Sequence, residues 1–235
     1  MNETDLRTIE LGHSFTHAEL LQHFRAVWGG VSFPGRRPGF AVVLGMGHEK
    51  VCGRYSMYLL ADYESFDMRQ LIRQCGALDL KYGVSLSRSY RRGDSGRWVG
   101  DYKNDAASRF IEEMNAEQHR DGSVEGRETV NLTPTSMLEM ENLYSFILPE
   151  IKDLLTAERR QLYLKDSKIV SYLSEIENEQ ISELQPGAYP AIEALAFAVI
   201  EMRSHHPATR PAEDRGYGDE TNLAESYAWQ KSCFD

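Results

Sequence analysis

The sequence predicts an α/β fold, or its α+β relative, in which a mixed β-sheet is flanked by helices and the C-terminal half is helical. Two strand-like runs, 40–46 and 55–62, lie close together with a glycine-bearing turn between them, which is typical of an antiparallel hairpin. Apolar residues then recur with helical spacing in several later stretches. Strands early in the chain and helices late favour a layered domain with a sheet of about four to six strands.

Composition limits the classes of protein to which the chain can belong. It has 235 residues, of which 41% are hydrophobic, and this is enough for one sizeable core or for one domain with an appendage. Its formal net charge of −10 repels phosphate. Tight binding to duplex DNA would therefore require a local basic patch.

Cysteine usage and hydropathy predict a cytoplasmic protein without a membrane partner. The cysteines Cys52, Cys75 and Cys233 are scattered without metal-binding spacing, which favours reduced thiols. Residues 1–15 lack the apolar core of a signal peptide, and no run approaches the length that spans a bilayer.

The first elements are predicted from capping and turn signals. Residues 6–11 have the composition of a short strand, and Thr16 to Glu19 has the spacing of a capping box, which predicts a short helix through Trp28. Residues 29–39 contain four glycines and two prolines and predict a loop.

Helices in the rest of the chain are predicted from apolar periodicity. Asp67 precedes a helical rhythm that Gly83 ends, and Pro190 fits the first turn of a last helix at 190–203. Further helices are predicted at 104–115, at 137–156 with an interruption at Pro149, and at 167–176; further strands at 84–90, 97–101 and 161–164; and a polar loop at 116–129.

These elements predict three parts. A strand/helix extension occupies 1–37, the α/β domain occupies 38–203, and a polar tail or arm occupies 204–235. The tail has no sustained period but carries aromatic residues that suggest docking on a partner, namely Tyr217, Tyr227, Trp229 and Phe234.

Acidic residues at the predicted strand ends form one candidate site. Asp62 and Glu64 close a strand, Asp101 and Asp105 flank the end of another, and Glu193 lies on the last helix. Carboxylates that a sheet gathers from distant stretches are the hard oxygen ligands that Mg²⁺ or Mn²⁺ needs. Helix caps and solvated surface charges are the simpler explanation of the same residues.

Residues 85–98, SLSRSYRRGDSGRW, form a basic and aromatic segment. Arginine forks suit phosphates and aromatic faces suit unpaired bases, so the segment is a candidate DNA-binding surface. A solvated hairpin whose arginines pair with the acidic surface is the alternative. The candidate nucleic-acid-binding residues are Arg88, Arg91, Arg92, Arg97 and Trp98.

Several familiar motifs are missing from the sequence. LGMGHEK lacks the third glycine of a dinucleotide fingerprint, and neither a phosphate-binding P-loop nor a GXSXG nucleophile elbow occurs. Without a P-loop, this chain alone would not drive DNA translocation.

The order of elements resembles that of a known nuclease family. Two strands, a helix ending in LDLKYG, a strand ending in an acid, the stretch NDAASRFIEEMN and the late helix YPAIEALAFAVIEM are similar to the ribonuclease-H-like nuclease domain of phage terminase large subunits. Over roughly 38–203, the resemblance implies a ribonuclease-H-like fold. It also implies a two-metal endonuclease, dependent on Mg²⁺ or Mn²⁺, that cuts concatemeric DNA during packaging.

The resemblance assigns site residues only in part. The first-strand aspartate of the terminase nuclease family would fall near 45–47, where this sequence reads Gly-Met-Gly and has no carboxylate. Its second acid matches Asp101, and its late-helix acid matches Glu193. The site is then either degenerate or rebuilt from Asp62, Glu64 or Glu49, which leaves Asp62, Asp101 and Glu193 as the expected catalytic and metal residues.

Two functions from different classes therefore stay open. One is a phage or prophage ribonuclease-H-like protein, either a metal-dependent DNA nuclease or a degenerate DNA-packaging component. The other is a non-enzymatic interaction or assembly protein, which would bind a protein partner or itself through its helical C-terminal half and aromatic tail.

Overall fold

A mixed six-stranded β-sheet forms the centre of the molecule, with helices on both faces, which confirms the α/β prediction. The computed structural model describes residues 24–51, 54–84, 98–100, 105–120, 132–134, 143–155, 161–164, 167–176 and 183–205. The strands are β1 (Phe24–Ser32), β2 (Gly39–Val51), β3 (Arg54–Ser65), β4 (Trp98–Gly100), β5 (Leu132–Pro134) and β6 (Leu162–Tyr163). The helices are α1 (Met68–Tyr82), α2 (Asp105–Arg120), α3 (Leu143–Leu155), α4 (Lys168–Ile176) and α5 (Pro190–His205).

The strand order across the sheet is β5-β4-β1-β2-β3-β6. The first three strands form an antiparallel meander, in which β2 pairs with both β1 and β3. The chain then crosses back through α1 to place β4 parallel to β1, and β5 joins β4 in the same direction. This crossover places β1 in the interior of the sheet, between β2 and β4.

Each face of the sheet carries its own helical layer, because side chains alternate between the faces along a strand. Ala26 and Trp28 of β1 lie on the face that packs against α3, α4 and α5. Val27 and Val31 lie on the opposite face, which packs against α1 and α2. The face under α5 holds the polar groups discussed below, and the face under α1 and α2 holds Trp98.

The helix predicted through Trp28 is wrong for residues 24–28, which belong to β1. Strand β1 is buried on both faces, with eight of its nine residues in the buried class. A strand buried on both faces lacks the alternation of polar and apolar residues that marks a strand, so its short apolar run resembles a helix. Residues 24–32 therefore lie in the same sheet as strands of the domain predicted at 38–203.

The glycine-bearing turn predicted between 46 and 55 is shorter than expected, since β2 continues to Val51 and β3 begins at Arg54. Close packing explains the glycine at position 45, where a Cβ atom would lie 2.6 Å from the ring of Phe24. The predicted hairpin of β2 and β3 is confirmed.

The predicted caps of α1 are confirmed. Asp67 accepts hydrogen bonds from the backbone N–H groups of Arg69 and Gln70 at 2.8 and 3.2 Å, which satisfies two N–H groups at the helix start. Gly83 ends the helix with φ 63°, a left-handed conformation that glycine adopts at little cost.

The remaining predictions agree in part. Helix α2 continues to Arg120, beyond the predicted start of a polar loop, and Pro149 lies inside the continuous helix α3. Strand β6 and helices α4 and α5 occupy the predicted stretches. In the part of the chain that the structure describes, no helix is both long and apolar enough to cross a membrane. Residues 6–11, 85–97, 121–131 and the tail from 206 lie outside the described ranges.

Candidate functional site

Glu193 lies in the first turn of α5, at the point where this helix packs against β1. The two backbones approach closely at Gly30, where a Cβ atom would lie 1.9 Å from the carbonyl oxygen of Ala194. Glu193 is consequently held between the helix and the sheet and is only 1% exposed. A carboxylate in the first helical turn also interacts favourably with the helix dipole.

Both carboxylate oxygens of Glu193 accept hydrogen bonds from other parts of the fold. Ser32 Oγ, at the end of β1, donates to Oε2 at 2.7 Å. Tyr144 Oη of α3 and the backbone N–H of Gly187 each donate to Oε1 at 2.5 Å. Hydrogen bonds to a charged group are stronger than neutral ones, so these contacts offset the cost of burying the carboxylate.

A series of polar and cation–π contacts leads outward from Tyr144 to the surface. Its hydroxyl accepts from the backbone N–H of Tyr189 at 2.6 Å, and the guanidinium of Arg37 lies 4.2 Å from the centre of the Tyr189 ring. Arg37 in turn pairs with Glu175 of α4 at 2.8 Å. Burial, together with the charge of Glu193, raises the pKa of Tyr144 far above its usual value, so the hydroxyl stays protonated and donates.

Asp62 and Glu64 are held by α4, at the β3 side of the same face. Ser167 Oγ donates to Asp62 Oδ2 at 2.5 Å, and the Lys168 ammonium and Tyr172 hydroxyl both donate to Glu64. The hydrogen bond from Lys168 to Glu64 raises the pKa of the lysine. These two carboxylates thus fasten the start of α4 to β3.

The register of the sheet separates Glu193 from the acids of β3. Ser32, which binds Glu193, pairs with Phe40 of β2, and Phe40 pairs with Glu64 of β3. Two strand spacings, roughly 10 Å, therefore lie between the attachment points of Glu193 and Glu64. Asp62 is likewise two strands from Gly30.

The described acids do not fit a Mg²⁺ or Mn²⁺ site. Within the described ranges, no group of three or more His, Cys, Asp or Glu side chains is placed to hold a metal ion. Three of the roughly four lone-pair sites of the Glu193 carboxylate accept hydrogen bonds, which leaves little capacity for a cation. Asp101 and the side chains of Glu49 and Asp105 lie outside the described residues.

The described residues on either side of the basic segment contact the same residue, Asp79. Arg88, Arg91, Arg92 and Arg97 lie outside the described residues. Asp79 of α1 holds both flanks of the segment, because its carbonyl accepts from the N–H of Gly83 at 2.7 Å and its carboxylate accepts from the Trp98 indole at 3.0 Å. Trp98 is fully buried in the core under α1 and α2, so its ring has no free face on which a base could stack.

Sequence reasoning missed the partners of the acids. Ser32 and Tyr144 are 161 and 49 residues from Glu193, and no local pattern connects positions so far apart. Asp79 had a detectable signal, since it stands four residues after Cys75 on the apolar face of α1. A carboxylate at such a position indicates a buried partner.

Comparison of the chain with protein-family models, with curated proteins and with solved structures finds no match.

Proposed function

We propose that this chain is a ribonuclease-H-like protein of phage or prophage type that serves as a degenerate DNA-packaging component and cleaves DNA weakly or not at all. The order of elements on which the resemblance depends is present: strands β2 and β3, helix α1, strand β4, helix α2 and a late helix α5. This order supports the relationship to terminase nuclease domains, and the details of the site favour loss of cleavage.

The observation that carries the proposal is the environment of Glu193. The resemblance assigns this residue as the late-helix metal ligand. Its two oxygens accept hydrogen bonds from Ser32, Tyr144 and Gly187 inside the core, and the residue is 1% exposed. A side chain in this arrangement stabilises the contact between α5 and β1, and binding a cation would require it to give up these donors.

The missing first-strand acid supports the same conclusion. Residues 45–47, where the resemblance placed it, lie in β2. The strand that opens the described sheet is β1, which has no carboxylate from Phe24 to Ser32. Two divalent ions placed close together need several carboxylates to offset their mutual repulsion, so loss of the central ligand weakens the binding of both.

Asp101 is the remaining acid that the resemblance assigns, and it allows a direct test. Gly100, the residue before it, pairs with Val31, next to Ser32. A competent nuclease would need Asp101 and Glu193 to share metal ions at this end of β1.

The test is a calorimetric titration of the full chain with Mg²⁺ and with Mn²⁺, combined with a cleavage assay on linear DNA. Asp101→Ala is the site variant, and Glu112→Ala, which removes an exposed carboxylate from α2, is the matched control. We expect the same weak heats for all three proteins and no cleavage above background. Saturable metal uptake and DNA cleavage that both disappear only in Asp101→Ala would overturn the degenerate reading in favour of an active nuclease.

A further inference from the structure

Two arginines of α1 converge on one aromatic ring of α2, on the outer side of the helical layer that covers Trp98. The guanidinium carbons of Arg69 and Arg73 lie 5.2 and 5.9 Å from the centre of the Phe110 ring. Both arginines are exposed and Phe110 is half-buried. These distances are within the range of cation–π attraction, so the Phe110 ring attracts both guanidinium groups.

The two arginines are not neutralised by a carboxylate in the described part of the chain. Their spacing of four residues places them on one side of α1, where like charges repel by a few tenths of a kcal/mol. The ion pairs within the described ranges join Arg37 to Glu175 and Lys168 to Glu64. Asp67, the acid nearest in sequence, uses its carboxylate to cap α1.

We infer that Arg69 and Arg73, held on Phe110, bind a phosphodiester group of a nucleic-acid strand. A guanidinium fork matches the geometry of phosphate oxygens, and an arginine already stacked on a ring loses less freedom when it binds. An anion between the two arginines would relieve their repulsion. Salt screens the attraction between the two guanidinium groups and a phosphate, so this local contact is strongest at low ionic strength. The net charge of −10 on the whole chain opposes the binding of a nucleic acid and limits its affinity.

The site is separate from Glu193, which lies on the other face of the sheet, and the inference does not depend on the proposed function. The outcome of the metal titration leaves it unchanged. Failure of the site, in turn, would leave the reasoning about Glu193 intact.

The experiment measures binding of fluorescein-labelled single-stranded and duplex DNA by fluorescence anisotropy over a series of salt concentrations. The site variant is Arg69→Ala/Arg73→Ala in the full chain. The control is Arg109→Ala, which removes one positive charge, half of the charge lost in the double variant, from an exposed position of α2 one residue before Phe110. We expect the double variant to bind DNA about tenfold more weakly than the parent. The slope of the logarithm of its binding constant against the logarithm of the salt concentration should be smaller in magnitude by about one to two. The control should change the affinity by less than about twofold.

Two further variants test the geometry at constant charge. Arg69→Lys/Arg73→Lys keeps both charges but loses the planar forks, and Phe110→Leu removes only the ring. Both should bind more weakly than the parent and more tightly than the double alanine variant. Thermal unfolding of each variant checks that the fold is retained.

Three results would overturn the inference: no DNA binding by the parent at low ionic strength, equal affinity of the double alanine variant and the Arg109→Ala control, or displacement of the DNA by polyglutamate as efficiently as by unlabelled DNA. The last result would show a site for any polyanion instead of a phosphodiester site.

Discussion

Glu193 shows how a residue that the resemblance assigns to a metal site can lie in a structural environment. Its place on the late helix is the one that the resemblance assigns to a metal ligand. The three donors around it come from β1, from α3 and from the segment before α5. Removing this charged acceptor would leave the three donors without their shared partner, and the free energy of unfolding would fall as a result.

We predict that Glu193→Ala lowers the free energy of unfolding by about 3 kcal/mol or more. Glu193→Gln should cost less, about 1–2 kcal/mol, because its amide keeps one acceptor oxygen for Tyr144 and Gly187. Urea unfolding followed by circular dichroism measures both values, with the exposed Glu112→Ala as the control, expected within about 0.5 kcal/mol of the parent.

A Glu193→Ala variant that is as stable as the parent, or more stable, would indicate that Glu193 serves to bind a cation. Carboxylates that are maintained for a cation are held against electrostatic strain, so their removal commonly stabilises a fold. Unchanged or increased stability of Glu193→Ala would therefore contradict the structural role described above.

At the scale of elements, the contact between α5 and β1 organises the face that holds Glu193. Residues 191–199 of α5 are all buried, and the helix crosses β1 so closely that position 30 admits only glycine. A helix buried on all sides shows little amphipathicity, so its length and its proline start predicted it better than its periodicity did.

We predict that Gly30→Ala destabilises the protein by about 3 kcal/mol or more, because the added methyl group meets helix backbone that has no room to move. Gly35→Ala is the matched control, since a Cβ atom there meets nothing within 4 Å. Thermal unfolding compares the two variants. Equal melting temperatures would show that α5 can move away from β1 at little cost.

Local chemistry explains which elements could be predicted from the sequence. The cap residues Asp67 and Gly83 and the helical rhythm between them are encoded within one short stretch, and α1 was predicted with its correct ends. Strand β1 depends on non-local burial between two layers, so the sequence predicts a helix for residues 24–28 and a loop for residues 29–32 instead. The residue types indicate which acids are candidates for a site. Whether those acids lie together depends on strand register, which separates Asp62 from Glu193 and is not visible in the residue types.

At the scale of the whole molecule, the two described cores consist of residues from 24 to 199. The meander of β1, β2 and β3 and the return of β4 to β1 join the beginning and the middle of the chain in one sheet. Strands β1 and β2, which lie on either side of the predicted boundary at 37/38, are hydrogen-bonded neighbours in this sheet.

We predict that deletion of residues 206–235 leaves a cooperatively folding protein, because this polar segment shows no sustained apolar period and the deletion removes no residue of the two described cores. Urea unfolding of the shortened chain should give a midpoint close to that of the parent, and loss of a cooperative transition would contradict this. Light scattering on the same two proteins tests the alternative function. A smaller assembly after deletion would support the tail as an assembly arm, and equal masses would count against it.

The double contact of Asp79 gives the molecule a natural insertion point. This one residue accepts hydrogen bonds from both Gly83 and Trp98, which are described residues on either side of 85–97. Doubling the length of a connection between two fixed points costs only about 0.6 kcal/mol. We therefore expect a reporter peptide inserted within 85–97 to leave both hydrogen bonds of Asp79 intact.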